Sequence, residues 1–135
     1  MPFDAHIQKT HLAISAELVG TIEAMETGKS ARVSLTTLPQ MKADEQGLIH
    51  GGFTFGLADY AAMVAVNEPS VVLLSSSVKF LKPVIIGDRL TALARIQIIE
   101  GRKQKVWCDV FNQDQQQVLE GEFLCLIPNQ PVLGK

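Results

Sequence analysis

The sequence predicts an α+β fold in which a six-stranded antiparallel sheet wraps around one long apolar helix. The helix is indicated by residues 50–66, an almost wholly apolar segment that is rich in alanine, the best helix former. Strand-like runs lie on either side of this segment. Short turns separate most consecutive runs, which implies antiparallel pairing. A sheet of that kind can bury the helix against one of its faces.

Two of the strands are predicted before the helix and four after it. Residues 17–25 and 30–38 are joined by ETGK, a turn in which Gly28 can adopt a positive φ. A polar loop then opens at Pro39 and leads to the helix. The later strands are predicted at residues 71–80, 88–99, 104–111 and 117–127.

The regions outside this pattern are short. Weak helical spacing over residues 6–18 predicts a short N-terminal helix. Asn67 and Pro69 are expected to end the long helix, because proline cannot continue it. Residues 128–135 are expected to form a flexible tail that is frayed or lies on the surface.

Composition limits the classes of function. The 135 residues fit one domain, and a hydrophobic content of 47% supplies a sizeable core. The formal net charge of −2 argues against nucleic acid or an anionic membrane as a partner. We find neither a signal segment nor a membrane span, so we expect a soluble, cytoplasmic protein. Cys108 and Cys125 lie in alternating segments without metal-ligand spacing, and we expect buried thiols in a reducing compartment.

Asp59 is the only charged residue between Phe53 and Val66. Burying an unpaired carboxylate costs roughly several kcal/mol unless it is hydrogen-bonded, neutralised or used in chemistry. Burial also raises the pKa of a carboxyl, which moves it toward the range of a useful base. Two interpretations stay open: a structural carboxylate held by amides or hydroxyls, and a catalytic base.

Gly51 and Gly52 stand at the start of the predicted helix. The first amides of a helix lack intrahelical partners and carry the positive end of its dipole, so they can hold an anion or a developing oxyanion. The alternative is that the glycines only permit a tight turn. Asp59 lies eight residues beyond Gly51, about 12 Å along the axis. One carbonyl cannot reach both groups on one helix, so the spacing predicts a two-fold dimer with two equivalent interface sites.

Two longer motifs carry a family resemblance. GLIHGGFTFGLADYAAM at residues 47–63, followed by SVKFLKPVIIGDRL at 77–90, resembles the hotdog-fold acyl-CoA thioesterases of the phenylacetate-degradation type. The resemblance covers about residues 17–127 and implies that residues 1–135 are a single hotdog domain. It also implies a homodimer, possibly a dimer of dimers, with active sites between subunits.

The resemblance assigns roles to three residues. Gly51 matches the residue whose amide polarises the thioester carbonyl, and Gly52 continues this helix start. Asp59 of the other subunit matches the acid that acts as general base or as nucleophile. His50 matches the motif histidine, which we interpret as an organiser of the loop and helix start. The substrate is then an acyl-CoA, and no metal or other cofactor is needed, coenzyme A entering only as part of the substrate or ligand.

Further residues are expected to contact the substrate, although each also has an ordinary structural interpretation. At the start of the helix and in the loop before it these are Gly52, Asp44 and Gln46. The acyl group is expected near Phe53, Leu57 and Tyr60. The pantetheine arm is expected along the strand that carries Ser75, Ser76 and Ser77. The candidates for the CoA phosphates are Lys79, Lys82 and Arg89.

The sequence departs from the family pattern at two places. Asp44 stands six residues before His50, where many members have Asn or Gln; a loop shift would bring Gln46 in as the substitute. Ala62 and Met63 stand one turn beyond Asp59, where some members have a hydroxyl. Hydrolysis of an acyl-CoA remains the leading hypothesis. These departures favour the alternative, a non-catalytic or weakly catalytic acyl-CoA-binding module with a regulatory role.

Overall fold

A computed structural model describes residues 3–134 as one antiparallel sheet packed on one long helix. The strands are β1 Thr21–Glu26, β2 Ser30–Thr36, β3 Val72–Phe80, β4 Arg89–Glu100, β5 Lys103–Phe111 and β6 Gln117–Leu126. The helices are α1 Ala16–Val19 and α2 Gly51–Val66, with short 3-10 turns at Phe3–His6 and Pro39–Met41. All six predicted strands and the long helix are confirmed, although β1 begins later than predicted.

The strands form a single sheet in the order β1-β2-β4-β5-β6-β3, and every neighbouring pair is antiparallel. The chain leaves β2 near one edge and returns in β3 at the opposite edge. Helix α2 makes this connection and therefore crosses one face of the sheet. This is the hotdog arrangement that the motifs imply.

Alanines let α2 lie close to the sheet. Ala58, Ala61, Ala62 and Ala65 are fully buried and have no side-chain atoms beyond Cβ. The strands contribute larger side chains to the same core, and these are also fully buried: Val33, Leu90, Val106, Val110 and Phe123. A helix that is apolar on all sides is stable only where it is covered, which explains its central position. Among residues 3–134, no helix is long and apolar enough to cross a membrane.

Asn67 ends α2, as the sequence predicts. It adopts the left-handed conformation with φ 54°, and its N–H donates to the Met63 carbonyl. Its side-chain amide donates to the Ile7 carbonyl at 2.8 Å, and its Oδ1 accepts the Lys9 N–H at 2.7 Å. This buried side chain therefore ties the N-terminal segment to the end of the helix.

The predicted helix over residues 6–18 is wrong. Residues 7–15 are not helical, and only the single turn of α1 follows, capped by the Ser15 hydroxyl. The segment instead bonds to the rest of the fold, for example through Gln8, whose amide donates to the Tyr60 hydroxyl. Such tertiary contacts override a weak helical pattern. Residues 128–134 contain neither helix nor strand, and their flexibility stays a prediction.

Strand β3 lies at the edge of the sheet, so one side of its backbone has no partner strand within the described chain. Its side chains are largely exposed, including Leu74 at 48% and Phe80 at 56%. An exposed edge strand is a template for pairing with another chain.

Candidate active site

His50 organises the start of α2. Its backbone is extended, and its Nδ1 accepts the Gly52 N–H at 2.9 Å, which makes it the N-cap. The His50 N–H donates to the Met41 carbonyl at 3.0 Å, which fixes the incoming loop. A Cβ on Gly52 would lie 2.8 Å from Nδ1, so the glycine leaves room for the capping ring.

Gly51 presents the first amide of the helix. Within residues 3–134 its N–H has no hydrogen-bond acceptor, and it lies at the positive end of the helix dipole. Gly51 lines a cleft of about 290 Å³ together with Phe80 and Lys82. The rim of this cleft is apolar and exposed at Leu48, Phe80 and Leu81. The amide can therefore serve a carbonyl or oxyanion whose apolar substituents lie along the rim.

Asp59 lies in the middle of α2, and its Oδ1 is buried without a hydrogen-bond partner in the described chain. Burial raises the pKa of this carboxyl from 3.8 to about 6, as the sequence predicts. At neutral pH the group is still largely ionised and is a stronger base than an ordinary carboxylate. A structural carboxylate would have its oxygens satisfied, so this one favours the chemical interpretation.

Cys125 lies close enough to Asp59 to respond to its charge, and Gln104 is the strand neighbour of Cys125. Burial, and then the negative charge of Asp59, raises the pKa of the Cys125 thiol to about 12, so the thiol stays protonated. Gln104 is directly opposite Cys125 in the pairing of β5 with β6, and its Oε1 is also buried and unpaired. Gln104 lies outside the sequence motifs and was not among the predicted site residues. The available signal was its alternation with buried Val106 and Cys108, which places a polar residue on the helix-facing side.

A single chain does not bring Gly51 and Asp59 together. Both lie on α2, eight residues apart, and the rise of a helix separates them by about 12 Å. Each chain therefore carries two separate half-sites, a free amide at one end of the helix and a buried carboxylate near its middle.

The predicted acyl contacts are corrected at two positions. Leu57 has no exposed surface, and Tyr60 is only 4% exposed. Their places are inside the chain's own core, where the Tyr60 hydroxyl accepts a hydrogen bond from Gln8 at 3.1 Å. Neither side chain therefore offers surface to an acyl group. Phe53 remains half-buried and packs edge-on against His50, with ring centroids 6.4 Å apart.

The three serines of β3 do not share a face. Ser76 is opposite Phe123 and so lies on the helix-facing side of the sheet. Ser75 and Ser77 are opposite Leu124 and Glu122 and lie on the outer face. All three are exposed, and the open edge of β3 supplies backbone groups beside them.

The three residues predicted to contact the CoA phosphates lie at different places on the fold. Lys82 lines the cleft beside Gly51. Lys79 lies opposite Glu120, on the outer face of the sheet. Arg89 lies on the outer face next to β2 and forms an ion pair with Glu23 at 3.5 Å, and its expected role stays a prediction.

Asp44 has a structural role in the loop before α2. Its Oδ1 accepts the N–H groups of Gln46 at 2.9 Å and Leu48 at 3.1 Å, which closes the turn. Its Oδ1 is engaged in the turn, and its expected contact with the substrate stays a prediction. The Gln46 side chain is exposed. In the part of the chain that is described, no cluster of three His, Cys, Asp or Glu side chains could hold a metal ion.

Comparison with protein families identifies the group to which the chain belongs. The model of the thioesterase superfamily matches residues 46–119, which include the capped start of α2, Asp59 and strands β3, β4 and β5. The chain is a member of the thioesterase superfamily. Its match spans the histidine-glycine-glycine turn and the aspartate that the geometry singles out.

Three curated relatives of this superfamily member have different functions in their names. A methylthioribose-1-phosphate isomerase of Aquifex aeolicus is 49% identical over 85% of the chain, but the chain spans only 25% of that protein. The transcription factor FapR of Caldanaerobacter subterraneus is 24% identical over 98% of the chain, which spans 66% of FapR. The acyl-coenzyme A thioesterase PaaI of Escherichia coli is 33% identical over 85% of the chain and 82% of PaaI.

Solved structures of similar proteins share the fold over most of the chain. The uncharacterized protein PH1136 of Pyrococcus horikoshii is 50% identical, with a TM-score of 0.90 over 93% of this chain and 95% of that one. Escherichia coli PaaI is 29% identical, with a TM-score of 0.74 over 81% and 79%. A Streptococcus mutans protein bound to acetyl CoA has a TM-score of 0.77 over 90% and 99%, and its 24% identity supports the fold alone.

Proposed function

We propose that this protein is an acyl-CoA thioesterase whose active sites form between two copies of the chain. The observation that carries the proposal is the carboxyl of Asp59, whose Oδ1 is buried without a hydrogen-bond partner in the described chain, in a helix that is otherwise almost wholly apolar. The likeness to PaaI, an acyl-coenzyme A thioesterase, supports the substrate class.

The dimer follows from the two half-sites. Gly51 and Asp59 of one helix cannot reach one carbonyl, but two antiparallel α2 helices bring the start of one opposite the middle of the other. The unpaired edge of β3 offers a surface through which two sheets can join. A dimer of dimers would be a further assembly, and the cytoplasmic location stays a prediction.

The reaction then needs few groups. The Gly51 N–H of one chain donates to the thioester carbonyl, and the positive end of the helix dipole stabilises the oxyanion. Asp59 of the other chain accepts a proton from water as the water oxygen attacks the carbonyl carbon. The C–S bond breaks and coenzyme A leaves as a thiol. A direct attack by Asp59 would use the same carboxylate.

A second candidate function is an acyl-CoA-binding module that regulates a partner. It is favoured by the match of the transcription factor FapR over 98% of the chain, together with the absence of a hydroxyl at Ala62 and Met63. Under this alternative the site binds the thioester but turns it over slowly or not at all.

The test is thiol release from a panel of acyl-CoAs by the wild type and by Asp59→Asn. The substitution keeps the shape of the side chain and removes the base, so we expect hydrolysis to fall about 100-fold or more. The matched control is Asp114→Asn, an exposed aspartate in the turn between β5 and β6, which should stay within about threefold of wild type. No hydrolysis of any substrate, with equal binding of CoA thioesters by both proteins, would favour the binding module.

A further inference from the structure

Two buried acceptor oxygens in the described part of the chain lack a hydrogen-bond donor, Asp59 Oδ1 and Gln104 Oε1. Buried polar atoms in folded proteins are nearly always paired, either with protein groups or with ordered water. Two unpaired acceptors that share one neighbourhood therefore indicate a donor that both can use.

Both residues are linked to Cys125, Gln104 by strand pairing and Asp59 by its charge. Gln104 and Cys125 are directly paired across β5 and β6, so their Cβ atoms lie about 5 Å apart on one face. That face is the helix-facing one, because Gln104 alternates with the buried residues Val106 and Cys108. Asp59 reaches the same place from α2, and its charge acts on the Cys125 thiol.

None of these three side chains supplies the missing donor. The Cys125 thiol donates to the Phe123 carbonyl at 3.8 Å. An ionised Asp59 only accepts. The Gln104 amide has two N–H donors, but neither of them bonds to Asp59 Oδ1 in the described chain. Ala62 and Met63, one turn beyond Asp59 on α2, carry no hydroxyl. A water molecule has two O–H donors and can serve both oxygens at once.

We propose that Gln104 is a positioning residue that holds the hydrolytic water against Asp59. The water donates one hydrogen to Asp59 Oδ1 and the other to Gln104 Oε1, which leaves a lone pair on its oxygen for the thioester carbonyl. This inference rests on the proposed thioesterase function and adds a residue from β5 to the site.

The step balances as hydrolysis. The water oxygen bonds to the carbonyl carbon while its proton passes to Asp59, and the Gln104 carbonyl oxygen accepts throughout without transferring a proton. The tetrahedral intermediate then expels the sulfur, which takes a proton to give free thiol and the carboxylic acid. Gln104 therefore affects the chemical step, and binding of the acyl-CoA does not require it.

The kinetic test compares Gln104→Met with Gln97→Met. The first substitution keeps the length of the side chain and removes the acceptor oxygen; the second makes the same change at an exposed residue of β4. For Gln104→Met we expect kcat to fall about 10-fold to 100-fold, with KM within about twofold of wild type. Gln97→Met should leave both constants unchanged. Thermal unfolding of the variants checks that the fold is intact.

A crystal structure of the wild type without substrate provides the second measurement. We expect one ordered water within about 3.2 Å of both oxygens, and its loss from Gln104→Met. A direct hydrogen bond between the Gln104 amide and Asp59, or an unchanged kcat in Gln104→Met, would overturn the inference. If Asp59→Asn abolishes turnover and Gln104→Met does not, only the inference fails. A wild type that hydrolyses no acyl-CoA overturns the proposed function and the inference together.

Discussion

Asp59 shows how one residue can oppose the stability of the fold that holds it. The apolar side chains between Phe53 and Val66 gain from leaving water, whereas this carboxylate loses hydration and gains no partner in the described chain. The pKa of the Asp59 carboxyl, raised to about 6 by burial, reflects that loss of hydration. A group that weakens the fold and serves no packing purpose is typical of a functional site.

The raised pKa of Asp59 predicts that the free energies of unfolding of wild type and Asp59→Asn differ by an amount that depends on pH. This difference is called the gap below. Between the ordinary pKa of 3.8 and about 6, the folded state binds a proton that the unfolded state has released, so wild-type stability falls as pH rises through this window. The asparagine stays neutral. We therefore expect the variant to gain up to roughly 3 kcal/mol relative to wild type between about pH 3.5 and pH 8.

Urea unfolding at a series of pH values measures this gap, with Asp114→Asn as the control for loss of an exposed carboxylate. The titratable neighbour that faces Asp59 from the sheet is Cys125, and its thiol stays protonated across this range because its pKa is raised to about 12. A gap that does not widen with pH would mean that Asp59 has a partner or is hydrated in solution.

At the scale of the elements, the start of α2 separates two functions that lie in adjacent residues. His50 caps the helix by accepting the Gly52 N–H, while the Gly51 N–H is left for a ligand. The His50 backbone is extended at φ −62° and ψ 131°, which is the conformation that tolerates a following proline. Gly51 occupies the first helical position, where proline is also accepted.

Gly51→Pro therefore removes the proposed oxyanion donor and keeps the helix. We expect kcat to fall about 100-fold to 1,000-fold, the usual loss when one such donor is removed, with the fold preserved. Gly51→Ala is the matched control, because it retains the N–H while its Cβ approaches the Phe80 ring at 3.3 Å. Thiol release and circular dichroism measure the two effects. Equal losses in both variants would mean that crowding in the cleft, and not the amide, limits the reaction.

At the scale of the whole molecule, the two half-sites require a second chain. The proposed dimer combines Gly51 of one chain with Asp59 of the other, so a mixture of two inactive variants should recover activity. A heterodimer of Gly51→Pro and Asp59→Asn contains one site with both native groups and one site with neither.

Unfolding and refolding the two variants together at equal amounts makes about half of the dimers mixed, which predicts about a quarter of wild-type activity. Each variant refolded alone is the control and should stay near its own low rate. If the mixture shows only the average of the two variants, Gly51 and Asp59 do not act together across an interface. Sedimentation of the wild type measures the assembly directly.

The sequence by itself determined the elements and the unusual residue. Alanine-rich apolar spacing predicted α2, alternation predicted the strands, and one acid in an apolar run pointed to Asp59 and its raised pKa, because these signals are local. The assignment to the hotdog fold came from the motifs at residues 47–63 and 77–90 rather than from local spacing, and the order of the strands in the sheet came only from the structure.

The tertiary structure decided which side chains meet. Tyr60 and the N-terminal segment pair with each other, so the predicted helix over residues 6–18 does not form and Tyr60 is removed from the candidate pocket. Gln104 lies far from Asp59 in sequence, and only the pairing of β5 with β6 places it beside Cys125. Strand register and helix rotation depend on contacts between distant parts of the chain, and local spacing carries no information about those contacts.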